Sequence, residues 1–190
     1  MMNRRTVVTG FAAAAATPLM GSYANAQSTM SRATAYAFSF KTLDGKDLNL
    51  AERIGRPVLV VNTASLCGYT PQYAGLETLW TRYRDRGLLV IGVPSNDFGG
   101  QEPGGASEIH DTAHRHGVTF PLSEKVSVKG EAAHPFYRWA ALQRPGETPR
   151  WNFHKYLVGR DGTLAAAFAS AVEPTDSRLI VAIERQLPPA

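Results

Sequence analysis

The chain has 190 residues, of which 44% are hydrophobic and 19% charged, a balance that supplies a core and excludes a disordered chain. Its 17 Gly and 12 Pro follow no triplet, which excludes a collagen-like rod, and its one cysteine excludes an intramolecular disulfide. The 20 basic and 16 acidic residues leave a formal charge of +4, scattered rather than clustered, so no nucleic-acid face is indicated.

The first element is an address. Arg4 and Arg5, an apolar stretch through the alanines 12–16 to Met20, and Ala24-Asn25-Ala26 form the three parts of an export signal. Cleavage after Ala26 divides the chain into a signal over 1–26 and a single domain over 27–190. Arg4-Arg5 followed by Val7 and Val8 resembles the twin-arginine signal, with the ordinary secretory route as the alternative. Thr17-Pro18 speaks against an N-terminal helix of the fold. The stretch is short of the about 20 strongly apolar residues that a spanning helix needs. The expectation is a soluble protein of the periplasm or another exported compartment, with a mature charge of 18 − 16 = +2.

Ser28 to Thr34 reads as a flexible polar leader. Phe38-Ser39-Phe40 and Leu48-Asn49-Leu50 alternate around Asp44-Gly45, which predicts a hairpin. The run from Val58 to Ala64 predicts a buried central strand. Pro71 opens a helix with Leu76, Leu79, Trp80 and Tyr83 on one face and Gly87 at its end. Leu88 to Val93 is a second buried strand, which completes a parallel βαβ unit. A helix over 106–116, an extended piece over 118–121 and a short helix over 135–142 follow. Tyr156 to Val158 and Leu164 to Phe168 flank the Arg160-Asp161-Gly162 turn, and Ser177 to Leu187 closes the chain as an amphipathic helix. One α/β domain accounts for these elements.

Cys67 lies where the first buried strand meets its helix, the end of an α/β sheet at which function gathers. Backbone amides at a helix start favour an anion, and thus a reactive thiolate. A lone cysteine is more often inert packing, but the Ser65-Leu66-Cys67-Gly68-Tyr69-Thr70 loop is small and polar. The segment Asn62-Thr63-Ala64-Ser65-Leu66-Cys67-Gly68-Tyr69-Thr70-Pro71-Gln72-Tyr73 resembles the active-site segment of the glutathione peroxidase family. Gly92-Val93-Pro94-Ser95-Asn96-Asp97-Phe98-Gly99-Gly100-Gln101-Glu102-Pro103-Gly104 and Trp151-Asn152-Phe153-His154-Lys155-Tyr156-Leu157-Val158 match further segments in the family's order. The similarity runs over roughly 34–175, and several long motifs in register are more specific than one short pattern.

The resemblance implies a thioredoxin-like fold: a central mixed β-sheet flanked by α-helices, with an N-terminal β-hairpin. It implies reduction of hydrogen peroxide or organic hydroperoxides, with Cys67 as the peroxidatic residue and Gln101, Trp151 and Asn152 as hydrogen-bonding partners around its sulfur. Taken singly, Gln101 reads as an exposed loop residue, Asn152 as a turn residue and Trp151 as core packing; their joint match to one family reverses that. No cofactor or metal is implied, the co-substrate being an external thiol such as glutathione or thioredoxin. His110 and His114 lie four apart on a predicted helix with His116 near its end, a solvated surface without the ligand set of a structural metal site, and His134 and His154 match no catalytic position.

The chain also departs from the family. The stretch where many members carry a resolving cysteine reads Glu108-Ile109-His110-Asp111-Thr112-Ala113-His114, Asp97 stands where Gln is usual, and Ser95 precedes Asn96. A sulfenic acid at Cys67 must therefore be reduced by an external thiol. Residues 126–134 leave little room for the loop through which tetrameric relatives assemble, so a monomer is expected. Two rival readings are a thiol-disulfide oxidoreductase, against which Thr70 stands where the second sulfur belongs, and a non-catalytic accessory protein on the same scaffold.

Overall fold

The computed structural model describes residues 29, 30 and 32–189; the export signal expected over 1–26 lies outside them. The expected hairpin is β1 (Ser39–Lys41) and β2 (Asp47–Asn49), antiparallel with Phe40 opposite Leu48. The main sheet holds β3 (Val58–Thr63), β4 (Leu89–Pro94), β5 (Lys155–Val158) and β6 (Leu164–Phe168) in the order β4-β3-β5-β6. β3 runs parallel to β4 and antiparallel to β5, and β5 pairs antiparallel with β6, so the sheet is mixed. The helices are α1 (Gln72–Tyr83), α2 (Ala106–Arg115), α3 (Pro135–Gln143) and α4 (Ser177–Gln186).

The apolar run Val58 to Val61 follows from the place of β3, because all six of its positions are buried. Leu59 and Val61 enter one core with Leu76 and Leu79 of α1, Ile109 of α2, and Leu179 and Ile183 of α4. Val58 and Val60 enter the other, with Ile91 and Val93 of β4 and Phe136, Trp139 and Ala140 of α3. Period-2 alternation with both faces covered produces this division. Gly87, at φ +102°, ends the helical run after a 3-10 turn over Arg84–Arg86. The extended piece after α2 docks beside β4, where the Gly92 N–H donates to Pro121 O (3.1 Å) and Gly92 O accepts from the Ser123 N–H (2.8 Å).

The flexible leader expected at 28–34 is corrected over its described part. Thr29, Met30 and Arg32 have helical backbone, Met30 packs on the α3-side core, and Ala33 O accepts a 2.9 Å bond from the Trp139 indole N–H. A buried indole N–H needs a partner, and this one fastens the leader to the domain.

Candidate active site

Three loops meet at one end of the sheet: the turn after β3, the loop after β4 and the turn before β5. Cys67 lies in the first, 7% exposed, between the exposed Leu66 and Gly68. Its sulfur accepts a 3.4 Å bond from the Tyr69 backbone N–H, in the turn that leads into α1. Thr70 staples this turn. Its hydroxyl accepts from the Cys67 N–H (3.2 Å) and lies within donating distance of Ala64 O (2.8 Å) and Cys67 O (2.7 Å), while its own N–H donates to Cys67 O (3.0 Å). The position that a second sulfur would occupy in a disulfide oxidoreductase thus holds the Cys67 loop in shape.

Gly99 and Gly100 stand in succession at φ +66° and +63°, a backbone that only glycine adopts freely, and they turn the second loop back toward the first. Gln101 O then accepts a 3.0 Å bond from the Leu66 N–H, one residue from Cys67. The Gln101 side-chain oxygen accepts from the Asn152 amide at 2.9 Å, which leaves the Gln101 NH2 free to donate. Asp97 closes this loop on the other side: its Oδ2 accepts from the Ser127 hydroxyl (2.8 Å), the Val128 N–H (2.6 Å) and the Lys129 N–H (3.1 Å).

The third loop is clamped by Asn62, near the end of β3. Asn62 Nδ2 donates to Trp151 O (3.1 Å), its N–H to His154 O (3.2 Å), and its carbonyl accepts from the Phe153 N–H (2.5 Å). Phe153 has a left-handed backbone, φ +62°, although it is fully buried and packed edge-on against Tyr73 at 5.3 Å. Strain of this kind persists where the surroundings over-determine it, and here it sets the turn that carries Trp151 and Asn152. Trp151 is 40% exposed, tilted against Phe98 at 6.1 Å and in contact with the Gly99 turn. Reading it singly as core packing does not describe its setting. Asn152 is buried.

The three side chains expected around the sulfur, Gln101, Trp151 and Asn152, lie on the loops of this site. Among the described residues, Cys67 Sγ accepts its bond from the backbone of Tyr69, and Gln101 and Asn152 bond one another. A thiol sulfur is a weak acceptor and does not compete with an amide oxygen for amide donors. Two clefts, of about 420 Å³ beside His110 and His114 and about 930 Å³ beside Met30 and Tyr137, are not lined by Cys67.

Three buried ionisable groups adjoin the site. Burial, with Lys155 adding to it, pushes the His154 imidazole down to about 4, so it is neutral at pH 7. Burial brings the Lys155 ammonium down to about 8 against the opposing pull of Glu173; its Nζ donates to Gln72 Oε1 (2.5 Å), Val172 O (2.6 Å) and Ser170 O (3.3 Å). Glu102 is fully buried, and burial pushes its carboxyl up against the opposing effects of Ser65 and Lys125. Sequence reasoning missed Asn62, Thr70, Asp97 and Glu102 as site-building residues. An asparagine inside an apolar strand was the one signal that marked Asn62.

The sequence model of the glutathione peroxidase family matches residues 35–141. The hydroperoxy fatty acid reductase gpx1 of Synechocystis sp. is 45% identical over 153 residues, covering 75% of this chain and 90% of that protein. The glutathione peroxidase-like peroxiredoxin GPX5 of Chlamydomonas reinhardtii is 46% identical over 143 residues, covering 73% and 88%. Among solved structures, that of Trgpx in its apo form superposes with a TM-score of 0.65 at 34% identity, covering 83% of this chain and 99% of that one. With the family model matched over more than half its length and relatives aligned along most of theirs, this chain belongs to the glutathione peroxidase family.

Proposed function

We propose that the chain is an exported, thiol-dependent peroxidase that reduces hydrogen peroxide and organic hydroperoxides through Cys67. The single observation that carries this reading is the built turn around the sulfur, with Thr70 bonding both ends of it and a backbone N–H aimed at Sγ. The thiolate attacks the terminal peroxide oxygen; an S–O bond forms, the O–O bond breaks, and the leaving alkoxide or hydroxide takes up a proton. Tyr69 N–H stabilises the charge on sulfur, and the free Gln101 NH2 and the Trp151 indole supply neutral donors for the leaving oxygen. Asn152 positions Gln101. An external thiol then condenses with the sulfenic acid, releasing water and forming a mixed disulfide. A second thiol opens that disulfide and returns the Cys67 thiolate. Glutathione and a thioredoxin-like protein both suit this step.

Leu66 at 67% exposure and Trp151 at 40% offer apolar surface on the loops of the site, which suits an organic hydroperoxide alongside hydrogen peroxide. Residues 1–26 support export to the periplasm, and residues 126–134 a monomer. Stopped-flow oxidation by peroxide, followed by mass spectrometry, tests the reading: Cys67 gains one oxygen or a thiol adduct, and C67S consumes no peroxide. An unmodified Cys67 in the peroxide-treated protein refutes it. The disulfide-oxidoreductase reading is the weaker one. Solved relatives of that kind, such as dsbF at 15% identity, share the fold alone, and Thr70 is engaged within the turn.

A further inference from the structure

The peroxidase chemistry proposed above uses no lysine, yet the chain buries one. Lys155, the first residue of β5, has no exposed surface. Taking an ammonium out of water is costly unless every one of its protons finds an acceptor. A lysine in a strand that continues as Tyr156, Leu157 and Val158, all buried, therefore needs a reason.

Its surroundings suit the charged form. An ammonium has three protons to donate, and Lys155 Nζ meets Gln72 Oε1 (2.5 Å), Val172 O (2.6 Å) and Ser170 O (3.3 Å). These acceptors belong to the first residue of α1 and to the segment between β6 and α4. Gln72 also grips that segment directly, its Nε2 donating to Ser170 O (2.9 Å) and Glu173 Oε1 (3.1 Å). Gly75, further along α1, lies so close to Pro174 that a Cβ there would meet the Pro174 Cβ at 3.1 Å. The start of α1 is thus pressed onto residues 170–174, and one buried charge ties both to the sheet. From that charge a bonded chain runs to the sulfur. Lys155 holds the Gln72 side chain, the Gln72 backbone N–H donates to Tyr69 O (2.9 Å), and the Tyr69 N–H donates to Cys67 Sγ (3.4 Å).

We propose that Lys155 is a positioning residue of the peroxidase, holding the first turn of α1 where the Tyr69 N–H meets the Cys67 sulfur. It touches neither the sulfur nor the peroxide, moves no proton and keeps its charge through the cycle. Its effect passes through Gln72, and the proposal rests on the assignment of Cys67 as nucleophile.

The groups around Lys155 leave its charge removable. In the sheet it is paired with Val61 of β3 and Phe168 of β6, both apolar, and α1 offers it the neutral Gln72. Its chain neighbour His154 is neutral at pH 7. Glu173 favours the ammonium, but burial outweighs it and brings Lys155 from 10.5 down to about 8. A neutral amine has two N–H groups for the three acceptors, so one oxygen is left facing a lone pair and the grip on Gln72 slackens. Between about 8 and 10.5 the unfolded chain holds more protons at this position than the folded one, so this titration raises stability as pH rises. A rate that falls there while the melting temperature holds reports lost positioning, not unfolding.

The test is single-turnover oxidation of the reduced mature protein by hydrogen peroxide across neutral and alkaline pH, for the wild type, K155M, K155R, Q72L and the K155M/Q72L double variant. Melting temperatures are recorded alongside, and rates are compared where each protein is folded. K155M, which keeps the length and removes the charge, should slow Cys67 oxidation by roughly 10- to 100-fold near neutrality. K155R keeps a charge that does not titrate and should recover most of that loss, without the decline that the wild type shows above pH about 8. The double variant should be no slower than the slower single, as for groups acting as one unit. A lysine that only stabilises the fold would lower the melting temperature and leave the rate of the folded protein unchanged. A wild-type rate in folded K155M, the same alkaline profile in wild type and K155R, or effects of K155M and Q72L that multiply overturns the proposal. If the Lys155 variants fail to fold, the wild-type profile decides: a rate that does not fall above pH about 8 while the protein stays folded overturns it equally. A wild type that does not oxidise Cys67 at any pH refutes the peroxidase reading itself, so the two failures are distinct.

Discussion

Replacing Thr70 by valine keeps the side chain's volume and deletes the hydroxyl that fastens the nucleophile's turn. That hydroxyl is the acceptor for the buried Cys67 N–H at 3.2 Å and a donor within 2.8 Å of Ala64 O and Cys67 O. Stranding a buried N–H costs about 1–3 kcal/mol and losing the donated bond about 1 kcal/mol more, so T70V should lose about 2–4 kcal/mol. At the usual sensitivity of a domain of this size, the melting temperature falls by about 5–15 °C. The same change frees the sulfur from its fixed approach, and a displacement of about 1 Å lowers a positioned reaction by about 100-fold. T70S, which keeps the hydroxyl, should stay near the wild type in both respects. Calorimetry and stopped-flow peroxide oxidation measure the two effects. A T70V protein that melts within about 2 °C of the wild type and oxidises at its rate would falsify the account of the turn.

Three further outcomes follow from the packing. His154 is held neutral in the fold with its imidazole at about 4 against 6.5 when unfolded. The unfolded chain therefore binds the extra proton first as pH falls between those values, and stability drops across that window. H154F, which matches a ring whose Nε2 has no partner, should flatten that part of the urea-midpoint profile while leaving stability at pH 7.5 near the wild type. D97A removes one carboxylate that receives three donors from residues 127–129, and urea unfolding should show a loss of about 2 kcal/mol. G92A drives a methyl group into the Leu122 side chain beside β4, and thermal melts should register about 1–3 kcal/mol of overpacking.

What was legible in the chain was what local pattern controls. The run Val58 to Val61 announced a strand covered on both faces, Asp44-Gly45 announced the hairpin, and Leu179, Ile180 and Ile183 announced the last helix. Three motif segments pointed to the three loops that the sheet brings together, and their order was enough to nominate Cys67. What stayed hidden depends on partners far along the chain. The leader was read as loose because the indole that receives it lies 106 residues away. Asp97 looked like a plain departure until its three donors arrived from about thirty residues downstream. Glu102 figured only as one letter of a motif segment, since no local pattern reports that it is buried. The left-handed Phe153 was likewise invisible: a bulky residue gives no hint of that backbone, which is imposed by Asn62 and Tyr73.

The register of β3 against β4 and β5 sends the peroxide-facing loops to one pole of the sheet and leaves Pro57, Leu88 and the Arg160–Asp161 corner at the other. Arg160 and Asp161 are exposed there, so a fluorophore or surface tether attached at that corner stands a full strand length from the sulfur. The molecule thus has a working end and a handling end. A sensor built on the redox state of Cys67 can be anchored by the second without obstructing the first.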